Sequence, residues 1–142
     1  MEPEIMRLDE SVCVAEASHF VLEYQEALCL SRITWKRKPS SLEYRHAITY
    51  WLEHLKKNKV ERTLFNNSHA GLISDEDVAW SEYYIKNLLP KTNLRKSASV
   101  VSNNILQRML IRNMYAERKP IYFQMEFFSE EQQAYHWLTS PS

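Results

Sequence analysis

A single glycine, Gly71, among 142 residues leaves no G-x-G-x-x-G fingerprint for a dinucleotide, no P-loop to cradle phosphates and no G-x-S-x-G nucleophile elbow. Each of those needs several glycines where the backbone turns sharply or approaches a ligand. Cysteine is nearly as scarce. Cys13 and Cys29 make no C-x-x-C pair and no disulfide framework, and are expected to be two small buried hydrophobes. Neither sign of charge is in excess: 18 basic side chains face 18 acidic ones, unlike the basic footprint of a typical nucleic-acid binder. No run of about 18 apolar residues exists to span a bilayer. Residues 1–10 are acidic and lack the apolar stretch of a signal peptide, so a cytoplasmic location is expected. No repeat, low-complexity segment or Pro/Ser linker divides the chain.

What is present suits one folded domain. The chain is 44% hydrophobic and 25% charged, and at this length it can bury about 70% of the surface it would expose unfolded. Residues 1–18 read as an N-terminal extension with a short extended piece at 12–15, and residues 19–142 as a single α/β domain. Residues 19–26 and 28–35 read as two strands of a hairpin. Ser40 and Glu43 make a capping box for a helix whose apolar face carries Tyr44, Ala47, Ile48, Trp51, Leu52 and Leu55. Lys56, Lys57 and Lys59 suit its negative end. Residues 60–65 read as a buried parallel strand. Ser74 caps a helix reaching about residue 89, with Asp75, Glu76 and Asp77 in its first turn and Pro90 just beyond. Residues 96–101 form the next strand, and Ser102 or Asn103 caps a helix that ends before Pro120. Residues 121–128 are the last strand, and Ser129 with Gln132 opens a final helix with Ala134, Trp137 and Leu138 on its apolar face. The order β-β-α-β-α-β-α-β-α predicts an α/β fold with a mainly parallel five-stranded sheet, its first strand the one antiparallel exception.

Spaced along this frame are Trp51 and Leu52, Asn58 to Val60, Leu64 to Asn66, Ile73 to Trp80, Leu89 and Pro90, and a terminal Ala134-x-x-Trp137-Leu138. As an ordered ensemble over residues 19–138 they resemble the SpoIIAA-like (STAS-fold) group of small bacterial proteins. The resemblance implies a non-enzymatic regulator or adaptor that binds other proteins. The best-known relatives are anti-sigma-factor antagonists switched by serine phosphorylation on an Asp-Ser-Ser-Gly-like turn. Here the corresponding stretch is Asn66-Asn67-Ser68-His69-Ala70-Gly71, with Ser68 as the candidate serine. A phosphate on Ser74 would instead face Asp75, Glu76 and Asp77 in the same turn.

Chemistry is hard to assemble from the remaining residues. His46 and His54 stand eight apart on one helix, too far for the i, i+4 pair of a zinc site. Both fall off the apolar face, so solvated imidazoles are expected and no metal or cofactor is. The carboxylates at 75–77 and 130–131 sit in first turns, where they complement helix dipoles. Cys29 has no neighbour that would lower its pKa. The basic run Lys36-Arg37-Lys38 with Lys56, Lys57, Lys59 and Arg62 could form a patch near one end of the first helix, and a solvated rim is the expectation.

Two features invite binding. Asn66, Asn67, Ser68 and His69 follow a parallel strand at its carboxyl end, where crevices of open sheets take ligands. A small-ligand or lipid site there is the alternative function, and a self-satisfying turn is the plainer reading. On the helix from Ser74, Val78, Ile85 and Leu89 point one way, while Trp80, Tyr83, Tyr84 and Asn87 point nearly opposite. On the next helix Ile111, Met114 and Tyr115 spill beyond the core face of Ile105, Leu106, Met109 and Leu110. Such surplus apolar surface fits a protein partner or a homodimer. The alternative is that the N-terminal segment or the last helix covers it.

Overall fold

The computed structural model describes residues 11–105 and 124–141, and pairs six strands in sequence order into one sheet. These are β1 (Val12–Glu16), β2 (Phe20–Gln25), β3 (Leu30–Trp35), β4 (Arg62–Asn66), β5 (Lys96–Val100) and β6 (Gln124–Phe128). β2 runs antiparallel to both β1 and β3, and β3 to β6 pair in parallel, so β2 alone runs against the other five. The expected antiparallel exception is therefore the strand built from residues 20–25. The expected count of five strands is corrected to six. The short extended piece within residues 1–18 becomes β1, whose backbone finds partners along β2 despite exposed Val12 and Val14.

Among the described residues the complete helices are α1 (Ser41–Lys57), α2 (Asp75–Leu88) and α3 (Glu131–Thr139). The helix expected from Ser102 or Asn103 opens at residues 103–105, and its continuation lies outside the described residues. α1 starts where its sequence directs: Ser40 Oγ accepts from the Glu43 amide, and Glu43 accepts from the Ser40 amide. α2 is capped by Ser74, whose hydroxyl accepts from the Asp77 amide. α3 departs from expectation. Glu130 rather than Ser129 is its N-cap, with no side-chain capping bond. Its first-turn Glu131 is drawn instead into an ion pair with Arg32 on the sheet.

Alternation along the strands sends two apolar faces in opposite directions. Phe20, Leu22, Ile33 and Trp35 pack with Ala47, Ile48, Trp51, Leu52 and Leu55 of α1, and with Ile85 and Leu88 of α2. Leu30, Leu64, Ala98 and Val100 pack on the other side with Ala134, Tyr135 and Leu138 of α3. Among the described residues α1 and α2 thus cover one face and α3 the other.

Both cysteines depart from the buried expectation. Cys13 is exposed on the edge strand, and Cys29 is half-buried. Cys29 takes a left-handed backbone (φ 49°) between a short 3-10 turn and β3. There it closes the hairpin instead of lying within a strand. Among the described residues no helix is long and apolar enough to cross a membrane.

Candidate functional site

The loop after β4 spends its polar groups on itself. Asn66 Oδ1 accepts from the amide of Ser68 at 3.2 Å and from its hydroxyl at 2.6 Å, a side-chain turn of the kind asparagine favours. Asn66 Nδ2 donates to Glu131 at 2.7 Å. The Asn67 amide donates to Val100 O, and the Ala70 amide to Asn67 O. Ser68 and His69 remain exposed, and Gly71 turns the chain with a left-handed φ of 70° against the stem of Lys38. The arrangement accounts for Asn66 and Asn67 as turn residues and does not gather the four residues around a ligand.

On α2 the expected outward stripe is split. Tyr83 is 66% and Tyr84 41% exposed, with the two rings edge to face at 5.4 Å between centroids. Asn87 is also exposed, and its side chain donates to Tyr83 O. Trp80 is a correction. It is half-buried against the main core, lies 5.0 Å from Tyr84, and carries the Arg45 guanidinium 5.1 Å above its ring.

The cause lies in how α2 docks. Its most buried residues are Asp77 and Ser81, not an apolar stripe. Asp77 accepts from Ser41 Oγ and Arg45 Nε, both at 2.8 Å, and Tyr44 donates to Ser81. Burial alone would push the Asp77 carboxyl up, but hydrogen bonds from Arg45, Ser41 and Ser74 outweigh it and hold the group below its usual range. This polar seam rolls α2 so that Trp80 turns toward α1. Ile111, Met114 and Tyr115 lie outside the described residues.

Two histidines, His54 and His19, are structural. His54 is buried rather than solvated, because its ring bridges α1 and β3. The Asn58 amide donates to His54 O at 3.1 Å and to Nδ1 at 3.0 Å. Nδ1 is therefore the acceptor, and Nε2–H donates to Ser31 Oγ at 2.6 Å. A serine, histidine and asparagine in this order resemble a nucleophile triad, yet the tautomer is the wrong one for a base that would take the serine proton. Ser31 is moreover fully buried within the sheet. His19 is buried as well, stacked with Trp35 and 3.6 Å from Glu43.

Burial lowers the pKa of His54 below 6.5. An unfolded chain thus binds a proton there that the native chain refuses, and stability falls as pH drops below about 6.5 toward the depressed native value. Thermal unfolding followed by circular dichroism between pH 7.5 and 5.5 should show a falling midpoint. His54→Gln, which keeps a donor toward Ser31, should reduce that slope, leaving the part due to His19, whose pKa burial also lowers.

The basic residues do not form one patch. Lys36 pairs with Glu16 and Arg37 with Glu43 at the start of α1. Lys56 and Lys59 lie at the other end of this 17-residue helix, about 25 Å away at 1.5 Å per residue. Among the described residues no three His, Cys, Asp or Glu side chains gather to hold a metal ion.

The most connected polar cluster was not singled out from the sequence. Arg32 on β3 donates through Nε and Nη2 to Glu23 of β2 at 3.1 and 2.8 Å, and through Nη1 to Glu131 of α3. Glu131 in turn accepts from Asn66. The signal available was an arginine inside the otherwise uncharged strand Leu30–Trp35. Such a charge needs a buried partner. Comparison with protein-family models, curated proteins and solved structures finds no match.

Proposed function

We propose that the chain is a SpoIIAA-like, non-enzymatic regulatory or adaptor domain of the cytoplasm. It acts by protein–protein contact, including self-association, through the Tyr83 and Tyr84 edge of α2. The observation that carries this reading is that exposed aromatic pair, 66% and 41% accessible, backed by Trp80 and Arg45. Tyrosines held against neighbours lose little rotamer freedom on binding, which is why such residues recur at interface hot spots. The α/β architecture with one strand running against five is compatible with the family proposed. Ser68, exposed beside the engaged Asn66, is the position at which a phosphate would reach solvent. No observation favours a small-ligand site at Asn66 to His69.

A Tyr83→Ala, Tyr84→Ala double variant tests the reading. Both rings are exposed, so the unfolding free energy should change by about 0.5 kcal/mol or less per site. Self-association measured by sedimentation equilibrium, or retention of a partner in affinity capture, should weaken about tenfold or more. Identical association by wild type and variant, with both folded, would refute the assignment of this surface.

A further inference from the structure

The sheet face that carries α3 holds a second set of charges, half-buried Arg62 and buried Lys96, and among the described residues these form no ion pair with a carboxylate. Arg62 opens β4 and Lys96 opens β5, and the two are paired directly across the strands. Like charges so placed repel one another. Lys96 is only 5% exposed. Its ammonium donates to the carbonyls of Trp137 and Ser140 at 3.1 and 3.0 Å, and lies over the Trp137 ring. Arg62 donates to the carbonyls of Leu138 and Leu28 at 2.9 and 2.6 Å.

These acceptors are neutral. The last carbonyls of α3 supply about half a negative charge between them. Arg95 stands beside the pair, and its guanidinium has no hydrogen bond or ion pair among the described residues. The three cations and Ser140 line a cavity of about 30 Å³ together with Glu61, whose carboxylate lies 3.9 Å from Lys59. Arg32, on the same face, shows the contrast: its charge is met by two carboxylates.

We propose that this cavity, at the amino ends of β4 and β5, binds an oxyanion head group, a phosphate or a carboxylate. Its volume admits about two water-sized atoms. The oxygens of one head group would fit while the rest of the ligand stays in solvent. An anion there supplies the charge that the carbonyls do not, and Arg95 offers the fork geometry suited to it. The site lies at the end of β4 opposite Asn66 and away from Tyr83 and Tyr84, so it is independent of the contact surface proposed above.

The full chain is titrated with inorganic phosphate, and separately with acetate, at constant ionic strength maintained with sodium chloride. Binding is read from backbone amide shifts in two-dimensional NMR. Saturable shifts centred on Arg62, Arg95, Lys96 and Ser140 are expected with at least one of the two, and the one that saturates first identifies the head group. Arg95→Gln, an exposed change that leaves the carbonyl contacts of Arg62 and Lys96 in place, should raise the half-saturating concentration about tenfold. Shifts that fail to saturate with either anion, that spread equally to Lys56 and Lys57, or that are unchanged in Arg95→Gln would overturn the proposal.

Discussion

Arg32→Ala is expected to lower the free energy of unfolding by about 3–5 kcal/mol, the cost typical of removing one partner from a buried ion pair. Arg32 is 9% exposed, and Glu23 beside it 7%. Its loss would leave the Glu23 and Glu131 carboxylates facing each other across the space it filled. Among the described residues Glu131 would retain the amide of Asn66, and Glu23 the hydroxyl of Ser11 at 3.2 Å. Arg32→Lys should recover only part of the loss, because an ammonium cannot reproduce donation from Nε and both Nη atoms. Removing all three charges together for apolar residues of similar volume should cost far less than Arg32→Ala alone. Urea unfolding of the three variants measures this. An Arg32→Ala cost under about 1 kcal/mol would mean that water reaches the cluster, as at an exposed pair.

That cluster also explains what was legible in the sequence and what was not. Elements with local signals appear where expected. The Ser40 and Glu43 box starts α1, Ser74 caps α2, and the apolar positions from Ala47 to Leu55 face the core. The failures are places where a distant residue decides the outcome. Ser129 with Gln132 is a sound local cap, but Arg32, 99 residues away from Glu131, draws the helix start onto the sheet. Trp80 looks solvent-facing on a wheel built from Val78, Ile85 and Leu89. Asp77 and Ser81 turn the helix because Ser41, Arg45 and Tyr44 meet them. His54 is polar and off the apolar stripe, so no local rule buries it. Only Ser31 on β3 and Asn58 one turn further on make its burial affordable. The tyrosine pair at 83 and 84 was readable because exposure there needs no partner.

Trp51→Ala is the other large expected loss, about 3–5 kcal/mol for a buried tryptophan cut back to a methyl group. Trp51 is almost wholly buried on α1, edge to face with Phe65 of β4 at 4.8 Å. Its indole N–H donates to Thr63 Oγ1 at 3.3 Å. Two components separate by variant. Trp51→Phe keeps most of the apolar contact but leaves the Thr63 hydroxyl, itself fully buried, without its donor, at about 1–3 kcal/mol for a polar group buried unpaired. Thr63→Val in the Trp51→Phe background removes that hydroxyl and should return part of the loss. The double-mutant cycle between positions 51 and 63 then isolates the hydrogen bond from the packing. The same series separates fold from surface. Trp51→Ala should weaken partner binding or self-association only in proportion to the fraction of chain it unfolds, because the residue lies beneath the sheet-facing side of α1. Tyr83→Ala, Tyr84→Ala should do the reverse, weakening contact about tenfold or more while the urea midpoint stays in place. If Trp51→Ala instead destroyed association at a temperature where circular dichroism shows it folded, α1 would be transmitting its position to α2 through the Arg45 and Asp77 seam. The contact surface would then include α1.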